Sequence, residues 1–386
     1  MKPIRVVIVE DSAVVREYLS YVIGLDPGLT VAGTAVNGED AVEVVGRVKP
    51  DVVTMDIHMP RMDGFEATRR IMESCPTRII VVSGSSDARD VAFSFRAVEA
   101  GALTVIGCPT GIDGPDSERI AQDLRRTIRL MSEIRVVRRW PAATTAAAAA
   151  AATTAAAPRT TAAASAASQA AAAPALTKAG APTTPAAPIS TTPPMAAGIQ
   201  AVAIGASTGG PIALRAVLSG FTKGFPAPIL IVQHVVPGFI AGLAQWLGEA
   251  SEIPVCVASE GEKPLPGRAY LAPDGAHMTV DAGGVVRLVP RARGELICPS
   301  AGALFRSVAE AYGPRCAGVL LSGMGGDGAR EMRLLRDRKA VTIAQDRETS
   351  LIFGMPGEAV RLGAAGYVLP VERIAPTLQS LAGAAQ

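Results

Sequence analysis

Residues 201–218 read AVAIGASTGGPIALRAVL, and this stretch decides the fold of the C-terminal part of the chain. The short apolar run over 201–204 predicts a buried strand, and residues 212–218 have the apolar spacing of a helix. Small residues and glycines surround Ser207 in the tight turn between them. A strand, a tight turn and a helix in this order predict a parallel α/β sheet.

The turn fits the pattern G-x-S-x-G, which exposes a serine hydroxyl beside backbone N–H groups that stabilise an oxyanion. A glycine-rich first turn also binds phosphates, so a nucleotide-binding α/β domain is an alternative for residues 205–210. The segment has no P-loop lysine and does not read G-x-G-x-x-G. These features disfavour nucleotide binding and favour Ser207 as a nucleophile.

A serine nucleophile needs a base, and the chain has three histidines. His234 ends the strand-like run 229–233, about one βαβ unit after Ser207. His277 lies in a predicted turn between two short strands, where a structural role fits at least as well. Because parallel strands end at the same edge of a sheet, we expect Ser207 and His234 to meet there.

The histidine in turn needs an acidic residue to orient it. A third strand-like run, 318–321, leads into the glycine-rich loop SGMGGDGA, which contains Asp327. On spacing alone, Asp327 fits equally well as a triad carboxylate or as the N-cap of a helix over 329–338. The three strand ends together make a Ser–His–Asp set in that chain order.

Residues 1–140 alternate strand and helix patterns, which predicts a doubly wound, flavodoxin-like parallel sheet. The predicted strands are 4–9, 29–36, 51–55, 78–82 and 103–106, and the predicted helices include 12–23 and 116–131.

Three carboxylates follow these strands. Glu10 and Asp11 come after the first strand, and Asp56 comes after the third. Carboxylates that converge on one edge repel each other and persist where a divalent cation neutralises them, and hard oxygen ligands suit Mg²⁺. Helix capping explains Asp11 alone but not the set.

Residues 141–198 separate this domain from a second domain over 199–386. The segment contains 28 Ala, 11 Thr and 8 Pro among its 58 residues, with two charged side chains. It has no large apolar residues at helix or strand spacing, so it cannot build a core. We predict a disordered linker, too interrupted by threonine and proline to span a membrane.

Charge and composition exclude several classes of protein. The chain has 37 basic and 35 acidic side chains, which disfavours a nucleic-acid-binding protein. The mean hydropathy is +0.30, but outside the alanine-rich segment no uninterrupted apolar stretch of about 18 residues occurs, so we expect no membrane insertion. Five widely spaced cysteines without a C-x-x-C pair favour reduced thiols and a cytoplasmic protein.

Three segments of the first domain resemble the motifs of response-regulator receiver domains: VEDS at 9–12, DIHMPRMDG at 56–64 and VSG at 82–84. The resemblance implies that Asp56 is the phosphoacceptor, that Ser83 contacts the phosphoryl oxygens, and that a CheA-type histidine kinase is the phosphodonor. It also implies a Mg²⁺ site made by Glu10, Asp11, Asp56 and the backbone carbonyl of His58.

One motif departs from the receiver pattern. Receivers normally carry Lys-Pro after the fifth strand, where the ammonium group pairs with the phosphoryl group. Cys108 and Pro109 stand at these positions here, and Val105 stands where an aromatic switch residue is usual. A thiol does not replace an ammonium group, so phosphorylation at Asp56 lacks the ion pair that normally couples it to conformation. An inert buried thiol fits Cys108 better than a redox role.

Residues 199–375 closely resemble the catalytic domain of CheB-type chemotaxis protein-glutamate methylesterases. The matching motifs are IGASTGG at 204–210, QH at 233–234, YLAP at 270–273, PS at 299–300, SGMGGDGA at 322–329, AQD at 344–346 and FGMP at 353–356. The family hydrolyses γ-glutamyl methyl esters on the cytoplasmic helices of chemoreceptors, and some members also deamidate receptor glutamines. The resemblance therefore implies methylated receptor helices as the substrate.

The same resemblance implies the role of each residue. Ser207 is the nucleophile, His234 the base and Asp327 the group that orients the base. The N–H of Met324 contributes to the oxyanion site, and Thr208 assists there. The esterase needs no cofactor, whereas phosphorylation of the receiver needs Mg²⁺.

In this family the unphosphorylated receiver covers the catalytic cleft, and phosphorylation relieves the block. The ends of a flexible 58-residue linker lie about 40 Å apart on average, which lowers the effective concentration of the receiver at the cleft. We therefore predict weaker autoinhibition than with a short linker. A response regulator with a non-enzymatic output is the rival interpretation, disfavoured by the near-neutral charge and the lack of an evident helix-turn-helix motif.

Overall fold

The structure, a computed structural model, describes residues 2–84, 87–109, 117–134, 136, 198–295 and 297–383. Two parallel sheets, each with an apolar core on both faces, and one antiparallel hairpin form the described part. This architecture confirms the predicted pair of α/β domains. The linker predicted over 141–198 lies, except for its last residue, outside the described residues.

The N-terminal domain alternates strands and helices along the chain. Its elements are β1 (Ile4–Val9), α1 (Ala13–Gly24), β2 (Leu29–Ala35), α2 (Gly38–Val48), β3 (Val52–Met55), α3 (Gly64–Ser74), β4 (Arg78–Ser83), α4 (Ala88–Ala100), β5 (Thr104–Gly107) and α5 (Ser117–Ser132). The five strands are parallel, in the order β2-β1-β3-β4-β5. This is the predicted flavodoxin-like order.

Local sequence explains where these elements lie. Strands covered on both faces need continuous apolar runs, and all four residues of β3 are buried. Short polar side chains begin the helices: Ser12 accepts a hydrogen bond from Val15 N–H, and Asn37 accepts from Glu39 and Asp40 N–H.

The C-terminal domain has a larger sheet. Its elements are β6 (Ala201–Ala206), α6 (Gly210–Leu218), β7 (Ile229–Gln233), α7 (Ile240–Glu249), β8 (Val255–Val257), β9 (Ala269–Leu271), β10 (Ala276–Val280), β11 (Val286–Pro290), α8 (Ala301–Tyr312), a 3₁₀ turn (Gly313–Arg315), β12 (Cys316–Leu320), α9 (Ala329–Asp337), β13 (Val341–Gln345), α10 (Met355–Arg361), β14 (Tyr367–Leu369) and α11 (Val371–Gly383).

Seven of these strands form one parallel sheet in the order β14-β13-β12-β6-β7-β9-β8, while β10 and β11 form an antiparallel hairpin. His277 lies within β10, so its predicted position in a turn is wrong. The alternating pattern of this short hairpin is weak, and the preceding Pro-Asp-Gly masks it. No helix in the described ranges is long and apolar enough to cross a membrane.

Helix α4 of the first domain packs against α7 of the second. Phe95 stacks on Trp246 with ring centroids 5.5 Å apart, and the indole N–H of Trp246 donates to Glu99 Oε1 over 2.8 Å. The Arg215 guanidinium lies 4.9 Å from the centroid of the Trp246 ring and pairs with Glu99. Apolar contacts, the Trp246–Glu99 hydrogen bond and the Arg215–Glu99 ion pair therefore hold the two domains together.

This contact depends on the absence of a side chain at Gly242. A Cβ there would lie 2.6 Å from the Val91 side chain, whereas a Cβ at Gly248 of the same helix would lie 3.9 Å from its nearest neighbour. We expect Gly242→Ala to separate the domains, since its Cβ has no room against α4. Small-angle scattering should show a larger radius of gyration, and Trp246 fluorescence should shift to the red in a Trp140→Phe background.

Gly248→Ala is the matched control, because it adds the same helix propensity without the close contact. It should keep the compact form. Equal scattering curves for the two variants would contradict the packing described here.

Candidate active site

Ser207 directly follows β6 and begins a turn that three hydrogen bonds hold in place. Its N–H donates to Ser322 O over 3.0 Å, and its carbonyl accepts from Gly210 N–H over 2.7 Å. The Gln233 amide donates to the same carbonyl over 2.8 Å. The backbone of the nucleophile candidate is therefore tied to the ends of both neighbouring strands, β7 and β12.

Two glycines, one in this turn and one in the loop that packs against it, allow the close approach of the backbone to Ser207. Gly209 has a φ of 78°, a left-handed conformation that residues with a side chain rarely adopt. Gly323 approaches Ser207 so closely that a Cβ would lie 2.8 Å from Ser207 Cβ and 2.4 Å from Met355 Sδ. Gly209 in the serine turn and Gly323 in the loop after β12 therefore allow the two backbones to pack closely around Ser207.

His234 directly follows β7, at the same edge of the sheet. The register pairs Ala206 with Gln233, and His234 N–H donates to Ala206 O over 3.0 Å. Its Nε2 lies 3.0 Å from Asp327 Oδ2, which leaves Nδ1 as the nitrogen available to Ser207. Among the hydrogen bonds of the described residues, none joins Ser207 Oγ to His234. Such bonds often tighten only when substrate is bound.

Asp327 lies in the loop after β12 and receives hydrogen bonds on both carboxylate oxygens. Ser300 Oγ and Gly302 N–H donate to Oδ1 over 2.7 and 3.2 Å. Ala301 N–H donates to Oδ2 over 2.6 Å, beside His234. The carboxylate therefore faces the N-terminus of α8, where backbone N–H groups favour negative charge.

These donors keep Asp327 ionised inside the protein. Burial by itself raises the pKa of this carboxyl, but hydrogen bonds from His234, Ser300 and Ala301 N–H hold the pKa below its usual value. The alternative interpretation of Asp327 as the N-cap of α9 is excluded, because Gly328 occupies that position and no side chain caps the helix.

The two residues expected to support the reaction lie beside the serine. Thr208 follows it in the turn, and the Thr208 carbonyl accepts from Ser322 Oγ over 2.8 Å. Met324 follows Gly323, and a Cβ at Gly354 would lie 3.1 Å from Met324 Cα. Within the described part of the chain, the Met324 N–H makes no hydrogen bond.

Comparison with known proteins agrees with this geometry. A family model described as CheB methylesterase matches residues 202–378, and one described as response regulator receiver domain matches residues 6–113. The chain is 46% identical over 382 residues to the protein-glutamate methylesterase/protein-glutamine glutaminase 4 of Geobacter metallireducens, covering 98% of this chain and 99% of the relative. It is 45% identical over 380 residues to the protein-glutamate methylesterase/protein-glutamine glutaminase 1 of Syntrophus aciditrophicus, covering 98% of this chain and 99% of that relative.

The chain belongs to the CheB methylesterase family. It is a response regulator with an esterase output domain, and neither the nucleotide-binding nor the non-enzymatic output is favoured.

The receiver of this CheB-family chain has a cluster of carboxylates at the carboxyl ends of its strands. Glu10, Asp11 and Asp56 place oxygens within 4.8 Å of one another. Burial, followed by the charge of Asp56, raises the pKa of Glu10 to about 7. Burial also raises the pKa of Asp56. Crowded carboxylates with raised pKa values fit a divalent cation with hard oxygen ligands such as Mg²⁺.

The other predicted receiver positions lie around this cluster. Ser83 is buried at the end of β4, and its carbonyl accepts from Cys108 N–H over 2.8 Å. Burial, with the charges of Glu10 and Asp56, raises the pKa of the Cys108 thiol to about 12. Cys108 therefore stands beside the acidic cluster as a neutral group.

Two further predicted receiver positions, His58 and Val105, have side chains with apolar contacts. The His58 side chain is half exposed and stacks on Phe93 with ring centroids 5.8 Å apart. Val105 is half-buried in β5 and packs against the apolar core around α4.

The sequence arguments gave no role to two residues that hold the site together. Gln233 fixes the turn at Ser207, and Ser300 holds Asp327. The only local signal was at Ser300, a serine directly before a helical pattern, which is typical of an N-cap. Its bond to Asp327 spans 27 residues of sequence and has no local signature.

The lowered pKa of Asp327 predicts a pH-dependent stability. The ionised carboxylate contributes its full stabilisation above the ordinary value of 3.8, and this contribution is lost as the pH falls through the lower folded-state value. We expect Asp327→Asn to be less stable at neutral pH and to lose less stability between about pH 5 and about pH 2. Urea unfolding at a series of pH values measures both effects.

Asp337→Asn is the control, because it removes an exposed carboxylate paired with Arg333. It should keep the acid dependence of the unmodified protein. An unchanged acid slope in Asp327→Asn would show that the carboxylate contributes nothing in its ionised form.

Proposed function

We propose that Ser207, His234 and Asp327 hydrolyse γ-glutamyl methyl esters on chemoreceptor helices. The observation that carries the proposal is the partly buried His234–Asp327 hydrogen bond at the strand end next to Ser207. The family and the names of the relatives support this substrate class. The proposed ester hydrolysis uses side chains and backbone N–H groups of this chain and needs no cofactor.

The first half of the reaction transfers the acyl group to the enzyme. His234 Nδ1 accepts the Ser207 proton while the hydroxyl oxygen attacks the ester carbonyl. Asp327 accepts the Nε2–H of His234, fixes that tautomer and stabilises the imidazolium ion. The Met324 N–H stabilises the oxyanion, and Thr208 assists beside it. Collapse of the tetrahedral intermediate releases methanol, which takes its proton from His234.

The second half frees the receptor carboxylate. His234 takes a proton from water, the hydroxide attacks the acyl-serine, and Ser207 recovers its proton as the glutamate leaves. A glutamine amide can enter the same sequence with ammonia as the leaving group. Since the relatives are named for both reactions, we include deamidation of receptor glutamines in the proposal.

The receiver supplies the regulatory half of the proposed function. We propose a CheA-type histidine kinase as phosphodonor and Asp56 as phosphoacceptor, with Ser83 against the phosphoryl oxygens. The Mg²⁺ ligands would be Glu10, Asp11, Asp56 and the His58 backbone carbonyl. A cytoplasmic location follows from the proposed partners, a kinase and the cytoplasmic helices of receptors.

The missing receiver lysine changes how phosphorylation would be transmitted. Cys108 offers no charge to the phosphoryl group, and Val105 offers no aromatic ring to reorient. Gly107 packs on Val236, two residues after His234, with room for no Cβ. We infer that phosphorylation acts on this contact through the β5 backbone rather than through an ion pair.

Ser207→Ala should abolish methanol release from methylated receptor while the fold stays intact, because no other group supplies the nucleophile. Ser219→Ala is the matched control, since Ser219 is exposed and its hydroxyl donates to Ala216 O, a bond remote from the site. Methanol measured by gas chromatography should be lost in the first variant and unchanged in the second. Release at the same rate from both variants would refute the assignment.

The long linker predicts weak autoinhibition, because the effective concentration of a tethered domain falls as the tether lengthens. The fragment 199–386 should release methanol less than about tenfold faster than the full chain at equal concentration. A much larger increase would mean that the α4–α7 contacts close the cleft regardless of tether length. The full-length Gly242→Ala variant is the control for this comparison, because it should undock the receiver without deleting it. Its rate of methanol release shows the effect of undocking alone.

A further inference from the structure

A second set of polar groups lies directly behind the triad carboxylate. The Ser300 hydroxyl donates to Asp327 Oδ1 over 2.7 Å, and its oxygen also accepts from Ala303 N–H over 3.3 Å. Capping α8 needs only the acceptor role. Donation to Asp327 is a separate function of the same hydroxyl.

His277 holds Ser300 from the other side. Its Nδ1 accepts from Ser300 N–H over 3.1 Å, so that nitrogen carries no proton. The proton is therefore on Nε2, which lies 2.9 Å from Glu295 Oε2. The His277 ring is buried and both of its nitrogens are engaged, so it has none left for a substrate.

We propose that Ser300 is a positioning residue for Asp327 and that His277, oriented by Glu295, positions Ser300. The hydrogen bonds run from Glu295 through His277 and Ser300 to Asp327 and His234. The Ser300 hydroxyl stops rotation of the carboxylate and keeps Oδ2 aimed at His234.

The remaining donor to Oδ1 is weaker. Gly302 N–H reaches Asp327 Oδ1 over 3.2 Å, a longer bond than that of the Ser300 hydroxyl. Without the hydroxyl, the carboxylate gains rotational freedom and His234 loses its fixed orientation. A small misplacement of a reacting group costs up to about 10²-fold in rate. The loss should appear in the maximal rate, because Ser300 acts through Asp327 rather than on the substrate.

Substitutions at Ser300 separate positioning from helix capping. Glycine is nearly as good an N-cap as serine but has no hydroxyl, while threonine keeps both functions. In the full chain, we expect Ser300→Gly to lower the maximal rate of Ser207 labelling by a fluorophosphonate reagent by about 10- to 10²-fold. The reagent concentration for half-maximal rate and the melting temperature should change little, and Ser300→Thr should restore most of the rate. Labelling of Ser300→Gly at the unmodified rate would overturn the role of Ser300.

A pair of isosteres tests His277. Asparagine places an acceptor where Nδ1 is, whereas glutamine reproduces the Nε2 position and leaves Ser300 N–H without its acceptor. His277→Asn should therefore label Ser207 faster than His277→Gln. Equal rates for the two variants, or a faster His277→Gln, would overturn the role of His277.

The inference rests on the proposed serine nucleophile but not on the ester substrate. Methanol release by the unmodified chain tests the substrate, and the labelling rates test the positioning residues. Normal labelling without methanol release would refute the methylesterase proposal alone. Methanol release with equal labelling of all Ser300 variants would refute the positioning role alone.

Discussion

The parallel register of β6 with β7 and β12 is the constraint on which the catalytic domain depends. Ala206 pairs with Gln233 and Leu320 pairs with Gly205, so the three strands stop at one level. The next residues of each strand leave the sheet as loops at the same edge, where side chains from distant parts of the sequence can meet. A shift of one residue in either pairing would move the serine turn away from His234 or from the Asp327 loop. The apolar cores on both sheet faces fix this register, because sliding a strand would expose its buried side chains.

Removing a carboxylate from water destabilises the folded protein unless hydrogen-bond donors replace the water. For the partly buried Asp327, the N-terminus of α8 supplies most of these donors. Asp327 receives hydrogen bonds from Ser300, Ala301 N–H, Gly302 N–H and His234. The N-terminus of α8 therefore serves as an anion site built into the protein, with a side chain as its anion. This arrangement keeps the carboxylate ionised beside the imidazole, as a group that stabilises a transient imidazolium ion must be.

The two domains use the same architectural edge for different chemistry. In the receiver the strand ends bring carboxylates together, and in the catalytic domain they bring together Ser207, His234 and Asp327, the proposed nucleophile, base and orienting carboxylate. The domains also meet near these edges, where Gly107 packs on Val236. The position that lacks the receiver lysine, Cys108, directly follows Gly107. The replacement of the usual receiver lysine by Cys108 is therefore next to the Gly107–Val236 contact with the catalytic domain.

The sequence by itself determined the two α/β domains and predicted that Ser207, His234 and Asp327, and separately the receiver carboxylates, lie at strand ends. It could do so because strands buried on both faces are short continuous apolar runs and because residues at strand ends share an edge in a parallel sheet. Tertiary structure alone decided that Asp327 faces α8 rather than capping α9, that His277 lies in a strand, and that α4 packs on α7. The physical reason is sequence separation: the bond between Ala301 N–H and Asp327 spans 26 residues, and that between Glu99 and Trp246 spans 147. Such pairs leave no periodic or local mark, and only the packed chain brings them within hydrogen-bonding distance.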